Sequence, residues 1–343
     1  MNIHKGKCDF LLKTIEKPAV LRIEPNEIKE LNALLEELAN KYNSADDEEF
    51  IQNSCIYAHL LPERIKLFLN DFRITEDKAA CVIKGYPIDN NDIGSTPPHW
   101  RESSKTKNTL KEEILFVLYS SILGDVFGWS TEQEGKLIQD VLPIKGDEKK
   151  QLNSASEELI FWHTEDSFQQ YAPDYLGLFC LKNFENAATT FASINSVDIS
   201  DKDKEILFEE RFVIKPDNAH QQENNSSAET FNVPKPIKTS ILFGDKNSPY
   251  LRIDPYFMDR SQESNEEKVA LDNLIEQFDK VIDDVILEPG DALFVDNFRG
   301  IHGRKPFYAK YNGDDRWLKR VRIARDLRKS RGLRKSSNYR IIK

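Results

Sequence analysis

Cysteine, methionine and glycine are scarce in this chain, with 4, 2 and 14 copies among 343 residues. The four cysteines (Cys8, Cys55, Cys81 and Cys180) are scattered, without the paired spacing of a zinc site or a disulfide framework. That pattern fits reduced thiols in the cytoplasm. Cys180 lies in the apolar run 175–181 and reads as a buried, inert thiol. Apolar runs long enough to cross a bilayer are also missing, and no apolar stretch follows residues 1–7, so neither a membrane span nor a signal peptide is expected. The net charge of −10 argues against a general nucleic-acid binder. Charge is unevenly placed, however: residues 316–343 hold twelve Lys or Arg and one acid, Asp326. Without the alternation of rings and cations that single strands need, this basic tail (326–343) reads as lying on an acidic body.

What the chain does contain is a single domain's worth of alternating patterns over 1–343. Ile28, Leu31, Leu34, Leu35 and Leu38 recur at helical spacing, with Asn26 as a candidate cap, and place helices in the N-terminal part, 1–75. A second helix is predicted over 110–127 and a third over 265–285. Short apolar runs at 80–87, 159–163, 176–181, 240–244, 285–287, 292–295 and 321–324 read as strands bounded by Gly and Pro. Between 196 and 238 acids, Asn, Gln and Ser dominate, and this stretch is expected to be a lid insertion. The order predicts a mixed α+β fold, with a double-stranded β-helix (jelly-roll) core flanked by helices.

The chemistry concentrates at two places. His163 and Glu165 are two apart, so on a strand they share a face. Far downstream, the Pro289-Gly290-Asp291 turn leads through Asn297 to His302-Gly303-Arg304. Two imidazoles and one carboxylate form the facial ligand set of an Fe(II) site, with positions left open for a cosubstrate and oxygen. An isolated His-x-Glu is weak evidence; the second motif makes it specific. The other histidines, His4, His59, His99 and His220, show no ligand-like partner and read as structural or surface residues. After His302 come Arg316, Leu318 and Arg320, which share a strand face. Two guanidiniums suit two carboxylates, one from 2-oxoglutarate and one from a substrate.

These pieces, with 128–133, 163–168, 174–178, 242–245, 249–254 and 315–331, resemble the clavaminate synthase-like Fe(II)/2-oxoglutarate oxygenases, and within them the hydroxylases of free amino acids. The resemblance implies iron ligands His163, Glu165 and His302. It implies Arg316 and Thr190 for 2-oxoglutarate, Arg320 for the substrate α-carboxylate, and Gln133 with Glu165 for the α-ammonium. Asp254 falls where arginine hydroxylases place an acid against the guanidinium. Their second acid, two residues on, is Tyr256 here. One carboxylate suits an ammonium better than a five-donor fork, which favours L-lysine, hydroxylated at C3 or C4, over L-arginine. The rivals are a protein-modifying oxygenase, a zinc hydrolase and a non-catalytic amino-acid-binding barrel. Neither nucleic acid nor membrane is an expected partner, and a homodimer is left open.

Overall fold

The computed structural model describes residues 14–103, 108–220 and 238–343. In chain order the elements are β1 (Ala19–Arg22), α1 (Pro25–Lys41), α2 (Glu48–Ala58), α3 (Glu63–Thr75), β2 (Ala80–Lys84), the one-turn helices α4 (Asn90–Ile93) and α5 (Trp100–Ser103), α6 (Leu110–Leu123), β3 (Asp125–Trp129), β4 (Gln139–Val141), β5 (Ile160–His163), β6 (Tyr175–Lys182) and β7 (Thr189–Ser193). Then follow α7 (Asp201–Leu207), β8 (Phe212–Val213), β9 (Lys238–Thr239), β10 (Leu242–Asp245), β11 (Ser248–Leu251), α8 (Asn265–Val281), β12 (Asp283–Val285), β13 (Ala292–Asp296), β14 (Gly300–Arg304), β15 (Trp317–Ala324) and β16 (Ile341–Ile342).

Two sheets carry the site. The larger has eight strands in the order β1-β2-β13-β6-β15-β3-β16, with β4 also paired to β15. The smaller has four, β12-β7-β14-β5. Phe191 of β7 packs in one apolar cluster with Leu176, Leu178 and Cys180 of β6, Leu293 and Val295 of β13, and Leu318 of β15. That shared cluster joins the two sheets. On the other face of the large sheet, Phe179, Phe294, Val321 and Ile323 pack against α1, α2, α3 and α6. The small sheet is backed by α7, α8 and the β10–β11 hairpin, through Trp162, Ala192, Ile301, Leu207, Leu274 and Phe278. Helix α6 is apolar all round because it is buried from Ile114 to Tyr119 between the other helices and the sheet.

Several boundaries differ from the sequence reading. Helix α1 starts earlier than an Asn26 cap allows: Glu24 is the N-cap, Pro25 fills the first turn, and Glu27 accepts the Glu24 N–H at 2.7 Å. The helix expected to reach residue 127 stops at Leu123. A side chain at Gly124 would meet the Ala324 carbonyl at 2.5 Å, so the chain leaves the helix there and becomes β3. The helix over 265–285 likewise stops at Val281, and β12 follows. The basic tail is docked: β16 pairs in parallel with β3, and Arg340 meets Asp125 at 2.6 Å. Of the stretch 196–238, the part up to residue 220 holds α7 and β8 with Leu207, Phe212 and Ile214 in the core, while 221–237 lie outside the described residues. At the Pro289-Gly290-Asp291 turn, Gly290 has φ +87° and a Cβ there would sit 1.7 Å from the Tyr86 carbonyl, so only glycine fits.

Candidate active site

His163 ends β5 and His302 lies mid-β14, and the two are directly paired across antiparallel strands. Their rings approach to 4.6 Å between centroids. Glu165 follows two residues after His163, past the strand end, and its Oε2 lies 3.7 Å from His163 Nε2 and 3.3 Å from His302 Nε2. His163 Nδ1 donates to the Phe161 carbonyl at 2.7 Å, which leaves Nε2 as the ligand nitrogen. Gly303 makes this pairing sterically feasible: a Cβ there would meet the Ile160 carbonyl at 2.6 Å. These three side chains form a cluster with metal-ligand spacing. Burial disfavours ionised Glu165, but Arg320 and Arg322 outweigh it and hold the carboxyl well below its usual range. Burial lowers His302, the form a metal needs.

Around the triad the cavity divides into lobes that share Asn153 and Arg320. One lobe runs past His302 to Arg316, Arg304 and Thr189. Arg316 is 4% exposed, its Nε has no hydrogen-bond partner, and its nearest polar contact is Thr189 Oγ1 at 3.5 Å. Burial pulls its guanidinium down to about 10. A buried cation with so little compensation is a receptor for a carboxylate. Thr190, expected beside Arg316, is the strand neighbour on the other face of β7, against Gly303; the adjacent hydroxyl is that of Thr189.

The second lobe, beside His163, is lined by Asp254, Asp217, Tyr256 and Phe161. Asp254 is 7% exposed and accepts the N–H groups of Tyr256 and Phe257, both at 3.2 Å; burial pushes it up. Asp217 is pushed up to about 6 by burial. Tyr256 stacks on Phe161, with centroids 5.3 Å apart. The third lobe, walled by His99 and Trp100, reaches Glu132 and Gln133. Gln133, expected to meet the α-ammonium, has its amide engaged by both the N–H (2.9 Å) and the C=O (2.7 Å) of Asp140.

Three residues escaped the sequence reading. Arg322 continues the 316, 318, 320 alternation by one step and ion-pairs with Asp166 at 2.6 Å and Glu165 at 3.0 Å. Glu132 bonds Arg320 at 2.9 Å and also pairs with Arg322. His220, taken for a partnerless residue, is fully buried between Thr131 Oγ1 at 2.8 Å and Asp166 Oδ1 at 3.3 Å. Burial opposes its charge, yet Asp217 and Asp166 lift it to about 9.

Two imidazoles and a carboxylate on one face, with a bare guanidinium across the cavity, are the donor set of a non-haem iron oxygenase that uses a 2-oxo acid. Residues 120–322 match the model of the taurine catabolism dioxygenase TauD, TfdA family. The chain is 38% identical over 340 residues to enduracididine beta-hydroxylase of Streptomyces hygroscopicus, covering 94% of this chain and 99% of that one. It is 40% identical over 326 residues to L-ornithine/L-arginine 3-hydroxylase of Catenulispora acidiphila, covering 90% and 95%. Among solved structures, the non-heme iron oxygenase OrfP in complex with Fe, succinate and (3S)-hydroxy-L-Arg superposes with a TM-score of 0.89 at 37% identity, over 94% of this chain and 99% of that one. The chain belongs to the TauD, TfdA dioxygenase family.

Proposed function

We propose that this protein hydroxylates the side chain of a free basic L-amino acid, L-arginine ahead of L-lysine, while 2-oxoglutarate and O2 are converted to succinate and CO2. The observation that carries the reading is the charge layout of the cavity. Arg316 faces one lobe, Arg320 stands where all the lobes meet, and Asp254 and Asp217 face another, with His163, Glu165 and His302 beside them.

Iron(II) held by His163, Glu165 and His302 supplies the oxygen-activating chemistry. The side chains supply the positioning. Arg316, with Thr189, receives the distal carboxylate of 2-oxoglutarate, and Arg320 takes the substrate α-carboxylate. Asp254 and Asp217 take the side-chain cation. Fixing both ends of the substrate holds one C–H bond towards the metal. Asp217 and Ala219 bring part of the 196–238 stretch into the cavity wall, which supports its reading as a lid. The facing sheets support a double-stranded β-helix as the scaffold.

The preference for arginine over lysine reverses the sequence expectation. That expectation rested on a single acid, Asp254, with Tyr256 in place of the second. Asp217 supplies a second carboxylate from a different segment, and two carboxylates match a guanidinium fork better than an ammonium. The relatives named for ornithine, arginine and enduracididine point the same way. The reading also takes the protein to act in the cytoplasm on a free metabolite, with neither nucleic acid nor membrane as partner, as a monomer or homodimer.

The test is incubation with Fe(II), 2-oxoglutarate and each of the common amino acids under air. Succinate release with arginine, and a product one oxygen atom heavier, are expected. A panel in which no basic amino acid stimulates succinate release defeats the reading.

A further inference from the structure

We propose that the substrate's zwitterionic head enters by splitting the Arg320–Glu132 ion pair, its α-carboxylate replacing Glu132 on Arg320 and its α-ammonium going to Glu132. This rests on the reading of the substrate as a free α-amino acid, and it assigns to Glu132 a recognition role.

In the ligand-free arrangement Arg320 has no nitrogen to spare. Nε donates to Gln139 Oε1 at 3.1 Å, Nη1 to Glu165 Oε1 at 3.0 Å, and Nη2 to both Glu132 oxygens at 3.1 and 2.9 Å. A carboxylate arriving at such a fork must displace an oxygen already there. Glu165 is bound in place by the metal-ligand cluster, and Asn297 accepts its N–H at 2.7 Å. Gln139 is shared with Arg322 Nη1 at 3.0 Å. Glu132, by contrast, lines the open lobe together with Asn153 and Arg320. It also pairs with Arg322, which keeps one cation on it when Arg320 is surrendered.

Charge balance favours the exchange. One buried ion pair is broken and two are made, so the net charge in the site does not change. Either half of the head alone does worse. A carboxylic acid lacking the ammonium displaces Glu132 and gives it no new cation. An amine lacking the carboxylate finds Glu132 still held by Arg320. Partly paired buried charges are costly in both cases. Gln133 is not available for the ammonium while its amide bridges Asp140.

Anaerobic calorimetry on the iron-loaded protein with 2-oxoglutarate tests this with three ligands: L-arginine, agmatine (no carboxylate) and 5-guanidinopentanoic acid (no ammonium). Where lysine binds more tightly than arginine, lysine, cadaverine and 6-aminohexanoic acid replace them. On the wild type both truncated ligands are expected to bind roughly 30-fold or more weakly than the amino acid. In Glu132→Gln the amino acid weakens by about 10-fold or more, whereas the des-amino acid binds more tightly than it does to the wild type. A residue that merely supports the fold weakens both together, and that parallel loss overturns the proposal. So does a wild type that binds the des-amino acid as tightly as the amino acid, a result that needs no variant to fold. Unchanged 2-oxoglutarate affinity shows that the variant is folded. A wild type that binds neither arginine nor lysine overturns the parent reading as well; arginine binding with parallel losses overturns this inference alone.

Discussion

Asn297 clasps Glu165 through the backbone on both sides: its Oδ1 accepts the Glu165 N–H at 2.7 Å, and its Nδ2 donates to the Glu165 carbonyl at 3.0 Å. The same amide donates to the Pro173 carbonyl at 2.8 Å. Glu165 lies past the end of β5, so no strand ladder fixes its backbone; Asn297 does so instead. Asn297→Ala is expected to lower metal affinity by about 10- to 100-fold while the fold persists. Titration of the variant with Fe(II) or Co(II) measures this, and unchanged affinity would show that the clasp is dispensable.

Arg316 gives opposite signs for stability and binding. Its guanidinium is buried and, among the described residues, makes no ion pair. Replacing it with an apolar residue of similar length removes a desolvation penalty. Arg316→Met is therefore expected to melt at the same temperature or higher without ligand, a gain of about 1–4 kcal/mol at most. Its affinity for 2-oxoglutarate should fall at least about 30-fold. Thermal shift with and without 2-oxoglutarate reads both. A variant that is less stable yet still binds the cosubstrate contradicts the assignment.

Asp217 and Asp254 should separate the two basic substrates. Asp254→Asn removes the acid nearest His163 and is expected to reduce kcat/KM for both arginine and lysine by about 10- to 100-fold. Asp217→Asn should reduce arginine turnover by a similar factor and lysine turnover much less, because an ammonium needs only one of the two carboxylates. Steady-state kinetics on both substrates decide the matter. Equal losses in Asp217→Asn remove the argument for a guanidinium.

Glu112 lies on α6 with Oε2 unpartnered, and burial pushes its carboxyl up to about 7 from 4.5. A carboxyl whose folded pKa exceeds its unfolded value binds protons on folding. Stability is therefore highest below about pH 4.5 and declines as pH rises through about 7. Glu112→Gln is expected to stabilise the protein at pH 8 by on the order of 3 kcal/mol, with the difference vanishing near pH 4.5. Melting curves at both pH values test the sign. A variant that is less stable at pH 8 would falsify the burial argument.

Spacing explains which parts of the site were legible. His163 and Glu165 are near neighbours in sequence, and the turn at Gly290 marks the approach to His302. Arg316 and Arg320 followed from strand alternation. The same rule, carried one step further, reaches Arg322. Thr190 was one residue out because alternation states which residues share a face without stating which face is inside. Glu132, Asp217 and His220 were not legible: their partners are Arg320, Asp254 and Asp166, brought close only by the fold. Helix ends were misplaced where a neighbouring strand set the limit, as Ala324 does at Gly124. Local pattern carries no trace of such a steric stop.

His163 lies on β5, an edge strand of the small sheet whose only ladder partner is β14, and the register slips between the rungs at His302 and Arg304. An ion seated between the paired histidines rivets that edge where the backbone ladder is weakest. Metal loss is then a mechanical event as well as a chemical one. Around 159–168 the edge loosens first and becomes the place where a protease can begin. In a cell short of iron, the lifetime of this polypeptide is expected to shorten along with its activity, so that supply of the metal sets how much protein there is, not only how much of it works.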